Sequence, residues 1–520
     1  MSLELASLVN SKYNKAYFSE KIPDQKYLIF TNNNDQILIK NELLKVKNNI
    51  FEGFIVQVNE SDSNERGQLV DIHIPLNQLE GFMESGTSII LTADMFITLI
   101  QQYGLEKIKD WTNQIFFVKV SNWILSQGIY DIYRNHVIRW AYDKKNSEDP
   151  KIIANILTLF LILYGPKDLD HSQRLESLSN YEKYQLENSR ISCVYNSACN
   201  LPLGWFFYRK AVTQDSAKTN VTLQHPYWNG EDFGNKRIVF RRVPGPSDEI
   251  LYANIFNDLI KNNCDVIIET DRRLVDLFTR SFPSAEVVPR LDSEPHPRLL
   301  KNDINFQANY SDPFEVYRDK LKKFPDHNGY LIPNSKKVDH WKTYFNDLFD
   351  DDIRIGVSWT SASTATMESD MVTKIEQWEP VFGLSKINFI NLQYGDITNI
   401  LRERAPSVHV VQGIDLYNDI DELVALIAGL DLVITVDNIN SHIAGALGTP
   451  LWEIIPSHWH LLLGQNYHPF YPNAHIFNMT DEYLIQISDQ LLKIVNKISP
   501  LLGENRRNKF RELSKLLDPV

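Results

Sequence analysis

Apolar residues along this chain fall into distinct rhythms, and the changes of rhythm divide it. Residues 1 to about 90 hold short β-leaning runs, KYLIF, DQILIK, IFEGFIVQV and QLVDIHIPL, separated by Asn, Asp, Ser and Gly. They predict a small β-rich or mixed module. From 91 to 216 the apolar positions move to helical spacing with many aromatics, as in MFITLIQQYG, WILSQGIYDIYRNHVIRWAY and NILTLFLILYG. That stretch predicts an α-helical region.

From about Trp228 the pattern alternates between strand and helix. RIVFRR leads through the turn VPGPSDE to the helical stretch ILYANIFNDLIKNN, then to the strand DVIIET, the helix RRLVDLFTRSF and the short strand AEVVP. Such alternation predicts a parallel sheet with crossover helices. Residues 294 to 352, rich in Pro, Asp and Lys, are expected to form irregular loops and an interdomain linker. A second alternating series follows, with strands IRIGVSW, INFINLQ, VHVV, LVITV and LWEII. Between them DIDELVALIAGL reads as a helix, opened by a capping box of Asp419 and Glu422. The expected organisation is a module over 1–90, a helical region over 91–216, a first α/β domain with linker over 217–350, a second over 351–497, and a C-terminal helix over 498–520.

A chain of 520 residues is too long for a single core. With 43% hydrophobic and 11% aromatic residues it is expected to pack throughout. Its 53 basic and 66 acidic residues, a net charge of −13, argue against a general binder of nucleic acid or anionic membrane, which needs surplus Lys and Arg. Cys193, Cys199 and Cys264 form neither a disulfide framework nor a metal-ligand spacing, and fit a reducing, cytoplasmic compartment. The N-terminus lacks the basic and apolar regions of a secretory signal. The most apolar run, ANILTLFLILYG, is about half the roughly 20 residues of a bilayer span and reads as a buried helix, so no membrane span is expected.

In open parallel sheets, ligands bind beyond the carboxyl ends of the strands, where loops enter helices. In DLVITVDNINSHIAGALGTPLWEIIP, Asp437 follows an apolar strand directly, Asn438, Asn440 and Ser441 can cap the next helix, and Gly448, Thr449 and Pro450 end it. A helix start of this kind can hold a diphosphate through its amides and partial positive charge, with His442 as a further donor. The same residues also suit plain capping and a satisfied polar histidine. In RRVPGPSDE, Asp248 stands at a second helix start, either as a general base or as an acidic cap. Neither G-x-x-x-x-G-K-[ST] nor G-x-G-x-x-G occurs. His458 and His460 have no carboxylate or thiolate at ligand spacing and read as loop residues, so no metal or other cofactor is expected.

From about residue 203 to 477 the chain resembles bacterial GT-B glycosyltransferases that often follow tetratricopeptide repeats. That group is related to lipopolysaccharide heptosyltransferases and to O-linked GlcNAc transferase-like proteins. The likeness is carried in order by GWFFYRKA, HPYWNGEDFGNKRIVF, GVSW, NLQYGD, the block from Asp419 to Pro456, and YHPFYPNAHIF. It implies two Rossmann-like domains facing a cleft, and sugar transfer from a nucleotide-diphosphate donor to a protein or glycan hydroxyl, inverting and without a metal. It further implies that Asp437 and His442 contact donor sugar and diphosphate, with Asn438, Asn440, Ser441 and Ser358 around them. Asp248 matches the general base, and Lys374 stands near a basic phosphate contact. Four residues depart from that pattern: Pro246 and Ser247 make the usual G-L-G-D turn GPSD, and Asn438 and Ile439 replace Thr and a small residue. They fit either a different donor or a catalytically inactive GT-B domain serving as a binding or assembly module. Residues 1–200 show no clear tetratricopeptide consensus.

Overall fold

The computed structural model describes residues 185–217, 223–241, 245–349, 352–361, 373–456, 459–479, 482–501 and 503–517, with separate strands and helical residues before them. It comprises two compact units, residues 1–194 and 195–520.

In the first unit, β1 (Lys26–Phe30), β2 (Ile50–Val56), β3 (His73–Pro75), β4 (Ser88–Leu91) and β5 (Ile115–Phe117) form one sheet in the order β3-β2-β1-β4-β5. Every pair is parallel. Parallel neighbours need crossovers, so the Asn/Asp/Ser/Gly runs mark strand ends without turning the chain straight back. The sheet continues past residue 90, and β5 falls in the range expected to be helical. A three-residue strand such as IFF carries no period of its own. Of the run ANILTLFLILYG only Ala154, helical and buried, is among the described residues.

The second unit contains two further parallel sheets. The first comprises β6 (Arg237–Arg241), β7 (Asp265–Thr270), β8 (Glu286–Pro289) and β9 (Phe306–Asn309), in the order β8-β7-β6-β9. The second comprises β10 (Ile353–Ser358), β11 (Ile387–Asn391), β12 (Val408–His409), β13 (Leu432–Val436), β14 (Leu451–Ile455) and β15 (Ala474–Asn478), in the order β12-β11-β10-β13-β14-β15. Each is wound outward from its first strand and then restarts on that strand's other side. The crevices where ligands bind in such sheets therefore lie beyond β6 and β9, and beyond β10 and β13. All five residues of β13 and all six of β10 are buried, which is why LVITV and IRIGVS read as unbroken apolar runs. The α/β class and the two Rossmann-like sheets agree with the expected fold.

Regular elements lie where irregular loops were expected, β9 and the helix Ser335–Phe349 foremost. β9 pairs with β6 although half its residues are polar. Gln307 and Asn309 are buried and satisfied, Gln307 by donating to the His225 carbonyl (2.6 Å) and Asn309 by its contacts with Asp312. The helix Ser335–Phe349 buries Val338, Trp341 and Phe345 on one stripe, between Lys, Asp and Asn residues that hide its period. The predicted cap at Asp419 is present, its carboxylate accepting from the Glu422 amide at 3.0 Å. The reciprocal half of the box is replaced, because the Glu422 carboxylate accepts from Trp341 Nε1 (2.8 Å) and pairs with Lys337 (2.9 Å).

One continuous core runs through both sheets' inner layers. At its centre the helix Pro246–Tyr252 of the first domain packs against Ile439–Leu447 of the second. The linker is stitched to the latter helix, with the amides of Tyr330 and Leu331 both donating to the Ala446 carbonyl at 2.7 and 3.0 Å. A β-carbon on Gly445 would stand 2.3 Å from the Tyr471 ring, so glycine is what lets that ring lie flat on the helix. Gly445→Ala is therefore expected to lower stability by about 1–3 kcal/mol through overpacking, despite alanine's better helix propensity. Urea denaturation reads the sign directly, and a gain in midpoint would contradict this packing.

Candidate functional site

The two domains enclose a cleft of about 360 Å³ between their facing helix starts. Gly245, Pro246, Ser247 and Asp248 line it from the first domain, and Asp437, Asn438, Ile439 and His442 from the second. Arg273, Ser361, Tyr394, Leu416 and Tyr417 form the rest of its wall.

Asp248 is the third residue of its helix, whose N-cap, Gly245, offers no side chain. Its carboxylate accepts the Gly245 amide, half of a capping box, and still faces the cleft. Burial pushes its carboxyl up to about 6, opposed by the charge of His442 and assisted by that of Asp437. The neighbouring Glu249 is structural: buried, it accepts from Thr270 Oγ1 (2.6 Å), the Asp271 amide (2.9 Å) and Arg290 (2.8 Å).

On the opposite wall, Asp437 leaves the end of β13 and meets His442, with Oδ1 3.2 Å from Nε2. Its other oxygen accepts from Trp459 Nε1 at 3.0 Å. Burial alone would raise the Asp437 carboxyl, yet the hydrogen bond and charge of His442 hold it below the usual range. Burial likewise works against a charged His442, and Asp437 outweighs it, leaving the imidazole raised. Asp437 and His442 therefore form a buried carboxylate–imidazole pair in which each favours the charged form of the other. Below them Glu453 on β14 is pushed up to about 8, first by burial and then by Asp437, and is uncharged at neutral pH. His468, 3.6 Å from Glu453, is lowered to about 3 by burial.

Asn438 is the N-cap of Ile439–Leu447, its side chain accepting from the Asn440 amide at 2.9 Å. Its backbone carbonyl accepts the amides of Ser441 and His442. Three of the first four amides of this helix are thus used internally. Asn440 and Ser441 are buried and outside the cleft wall. Asn440 Nδ2 donates to Ser358 Oγ (3.0 Å), and Ser441 closes the capping box with Asn438. Ser358 is a fully buried hub that also takes Asn438 Nδ2 at 2.9 Å and shares 2.6 Å with Thr435 Oγ1. These three residues support Asn438 rather than line the cleft. Lys374 is exposed at the start of the turn Ile375–Trp378 and does not line the cleft, while Ser361 does. His458 lies outside the described residues, and the charge of His460 favours the ionised Asp437. Among the described residues no group of three or more His, Cys, Asp and Glu is placed to hold a metal ion.

The motif reading did not assign Arg273, Tyr394 and Tyr417. Arg273 is clamped by Asp271 and donates to the Tyr417 carbonyl at 3.0 Å, while its guanidinium lies 5.2 Å from the Tyr417 ring. Tyr394 and Tyr417 pack at 5.5 Å. The only sequence signal for these groups is their position just beyond the ends of β7 and β11 and ahead of the helix Ile420–Ala428.

The raised carboxyl of Asp248 has a stability cost with a definite sign. A carboxyl at about 6 in the fold and near its ordinary value when unfolded binds more protons when folded, so stability falls as pH rises from about 4 to about 6. Asp248→Asn is expected to be more stable than wild type at pH 7 by about 1–2 kcal/mol, with the gain fading below about pH 4. Thermal melts across that range check it, and a loss at pH 7 would show that the carboxylate is not desolvated.

No protein-family model matches the chain. Protein FlbA of Caulobacter vibrioides is 30% identical over 271 residues, covering 49% of this chain and 45% of that protein. The chain thus spans about half the length of the curated relative it matches. A glycosyl transferase family 9 structure from Veillonella parvula aligns with 13% identity over 56% of this chain and 100% of its own, at a TM-score of 0.36. The ADP-heptose lipopolysaccharide heptosyltransferase II of E. coli aligns with 12% identity over 54% and 99%, at a TM-score of 0.35.

Proposed function

We propose that the chain is an inverting, metal-independent glycosyltransferase, moving a sugar from a nucleoside-diphosphate donor to a hydroxyl of a protein or glycan acceptor. The observation that carries this reading is the meeting, in one cleft, of Asp248 from the first domain with Asp437 and His442 from the second. The motif resemblance assigns chemistry to the same three residues.

In this reading the acceptor oxygen attacks the anomeric carbon while its proton passes to Asp248, whose carboxyl near 6 suits a base at neutral pH. The new bond to the acceptor oxygen forms as the bond from the anomeric carbon to the diphosphate oxygen breaks. The electron pair leaves with the diphosphate. Its developing charge is met by the cationic His442 and by the helix start at Asn438 and Ile439. Asp437 keeps His442 charged and orients it. The nucleoside is placed toward Arg273, Tyr394 and Tyr417, where two rings and a guanidinium offer flat surfaces.

Donor turnover and transfer should be measured with wild type, Asp248→Ala and His442→Ala. Asp248→Ala is expected to lose about 100-fold or more in kcat, and equal rates in all three proteins would end this mechanism. Melting of the wild type with UDP, GDP, ADP and CMP gives a second readout, because a ligand of the folded state raises its stability. A shift without turnover, or none with any nucleotide, favours the inactive module.

A further inference from the structure

We infer that Arg273 is the diphosphate-binding cation of the cleft, donating to the phosphate oxygens of the sugar donor from the first domain. This deepens the proposed function and rests on its reading of the cleft as a nucleoside-diphosphate site.

The inference begins with a charge that the cleft has nowhere else. A diphosphate entering it meets two carboxylates on the walls, Asp248 and Asp437. Of the lysines and arginines among the described residues, Arg273 alone lines that space. Lys374, which the motif resemblance sets near the phosphates, is exposed and outside it. At the helix start after Asn438, three of the first four amides are already bonded within the protein. His442 carries a charge only when protonated, whereas a guanidinium does not titrate in a protein.

Arg273 is also held ready for such a contact. Asp271, directly after β7, accepts the Arg273 amide at 3.0 Å and its Nε and Nη2 at 2.9 Å each, which fixes the guanidinium against its own backbone. Nη1 donates to the Tyr417 carbonyl of the second domain at 3.0 Å. Three of the five N–H groups are thereby engaged, and one on each terminal nitrogen remains. One face of the guanidinium lies toward the Tyr417 ring, 5.2 Å from its centroid, so a ligand is met by the edge that carries those donors. Donors on a rigid planar cation suit phosphate oxygens, while the two rings remain for the nucleoside. The carboxylate of Asp271 offsets part of the charge, so the contact works through directed hydrogen bonds as much as through net attraction. The Asp271 amide in turn donates to Glu249, beside Asp248, at 2.9 Å, which sets the cation in a fixed place relative to the proposed base. Arg272, by contrast, is 74% exposed, pairs with Asp292 and does not line the cleft.

The test is isothermal titration calorimetry of the full chain with UDP, GDP and ADP, each against its own nucleoside, and with inorganic pyrophosphate. Wild type should bind at least one of the diphosphates. Arg273→Gln should weaken that binding about tenfold or more and leave the matching nucleoside within about twofold. Where a nucleoside binds too weakly to titrate, pyrophosphate, which has no base to stack, decides by the same loss. The variant is expected to fold, because Asp271 keeps the backbone amide of residue 273 and lies 3.8 Å from Arg290. Should it not, Arg273→Lys, which keeps the charge and loses the fork, is read by the same ratio. Equal weakening of diphosphate and nucleoside would make Arg273 a stacking or structural residue and overturn the inference. Unchanged diphosphate binding, or a wild type that binds none of these diphosphates, would overturn it as well. The titration needs neither sugar nor acceptor, so a diphosphate site lost in Arg273→Gln can stand even where Asp248→Ala transfers as fast as wild type, and the reverse holds equally.

Discussion

The cleft depends on burying the start of one nine-residue helix. Ile439–Leu447 lies between the second sheet and the helix Pro246–Tyr252, and its residues from Asn440 to Ala446 are all buried. A helix start in that position cannot leave its free amides to water, and each must find a partner. This requirement explains the run DNINS. Asn438 caps, Ser441 closes the box, and Asn440 and Ser358 brace the cap from below. The polar residues of the motif are in the first place the internal solvent of a buried terminus. A ligand meets only the groups left facing the cleft: Asp437, Asn438, Ile439 and His442.

The same burial sets four ionisable groups apart. Asp437 and His442 are close enough that each favours the other's charged form against desolvation. Asp248, desolvated without a cation in hydrogen-bond contact, drifts up toward neutrality. Glu453, deeper still and facing the negative charge of Asp437, gives up its charge altogether at neutral pH. Pairs of titratable groups pushed apart in this way are what acid–base chemistry at one pH requires. One pattern of burial thus favours charge on Asp437 and His442 and opposes it on Asp248 and Glu453.

Much of this was legible in the sequence where the signal is local. The strand LVITV, its terminal aspartate, the cap at Asn438 and the stop at Gly448, which has a φ of 71°, all follow from neighbours a few residues apart. What failed to show was set by distant contacts. β9 is half polar because Gln307 and Asn309 find their partners in residues 223–226 and Asp312, which no period can reveal. The parallel first sheet was hidden because turn residues show where a strand ends, not where the chain goes next. Within the site, Trp459 and Tyr471 reach Asp437 and His442 from 22 and 29 residues away. The block YHPFYPNAHIF marked the neighbourhood of Tyr471 without indicating its role.

The departures from the pattern that the motifs resemble fall at equivalent places. Pro246 and Ile439 are each the first residue of one of the two helices that face across the cleft, after the caps Gly245 and Asn438. The amide at this position makes no bond within its own helix, so proline there costs the fold nothing and isoleucine disturbs no hydrogen bond. Both side chains line the cleft wall, while Asp248, Asp437 and His442 are retained. The changes alter the shape of the space and remove one amide donor, leaving the ionisable groups untouched. With three amides of the second helix already used internally, an anion here meets fewer backbone donors than at a bare helix start. In the proposed reading more of its charge therefore falls to His442, and with it to the Asp437 carboxylate 3.2 Å from that ring.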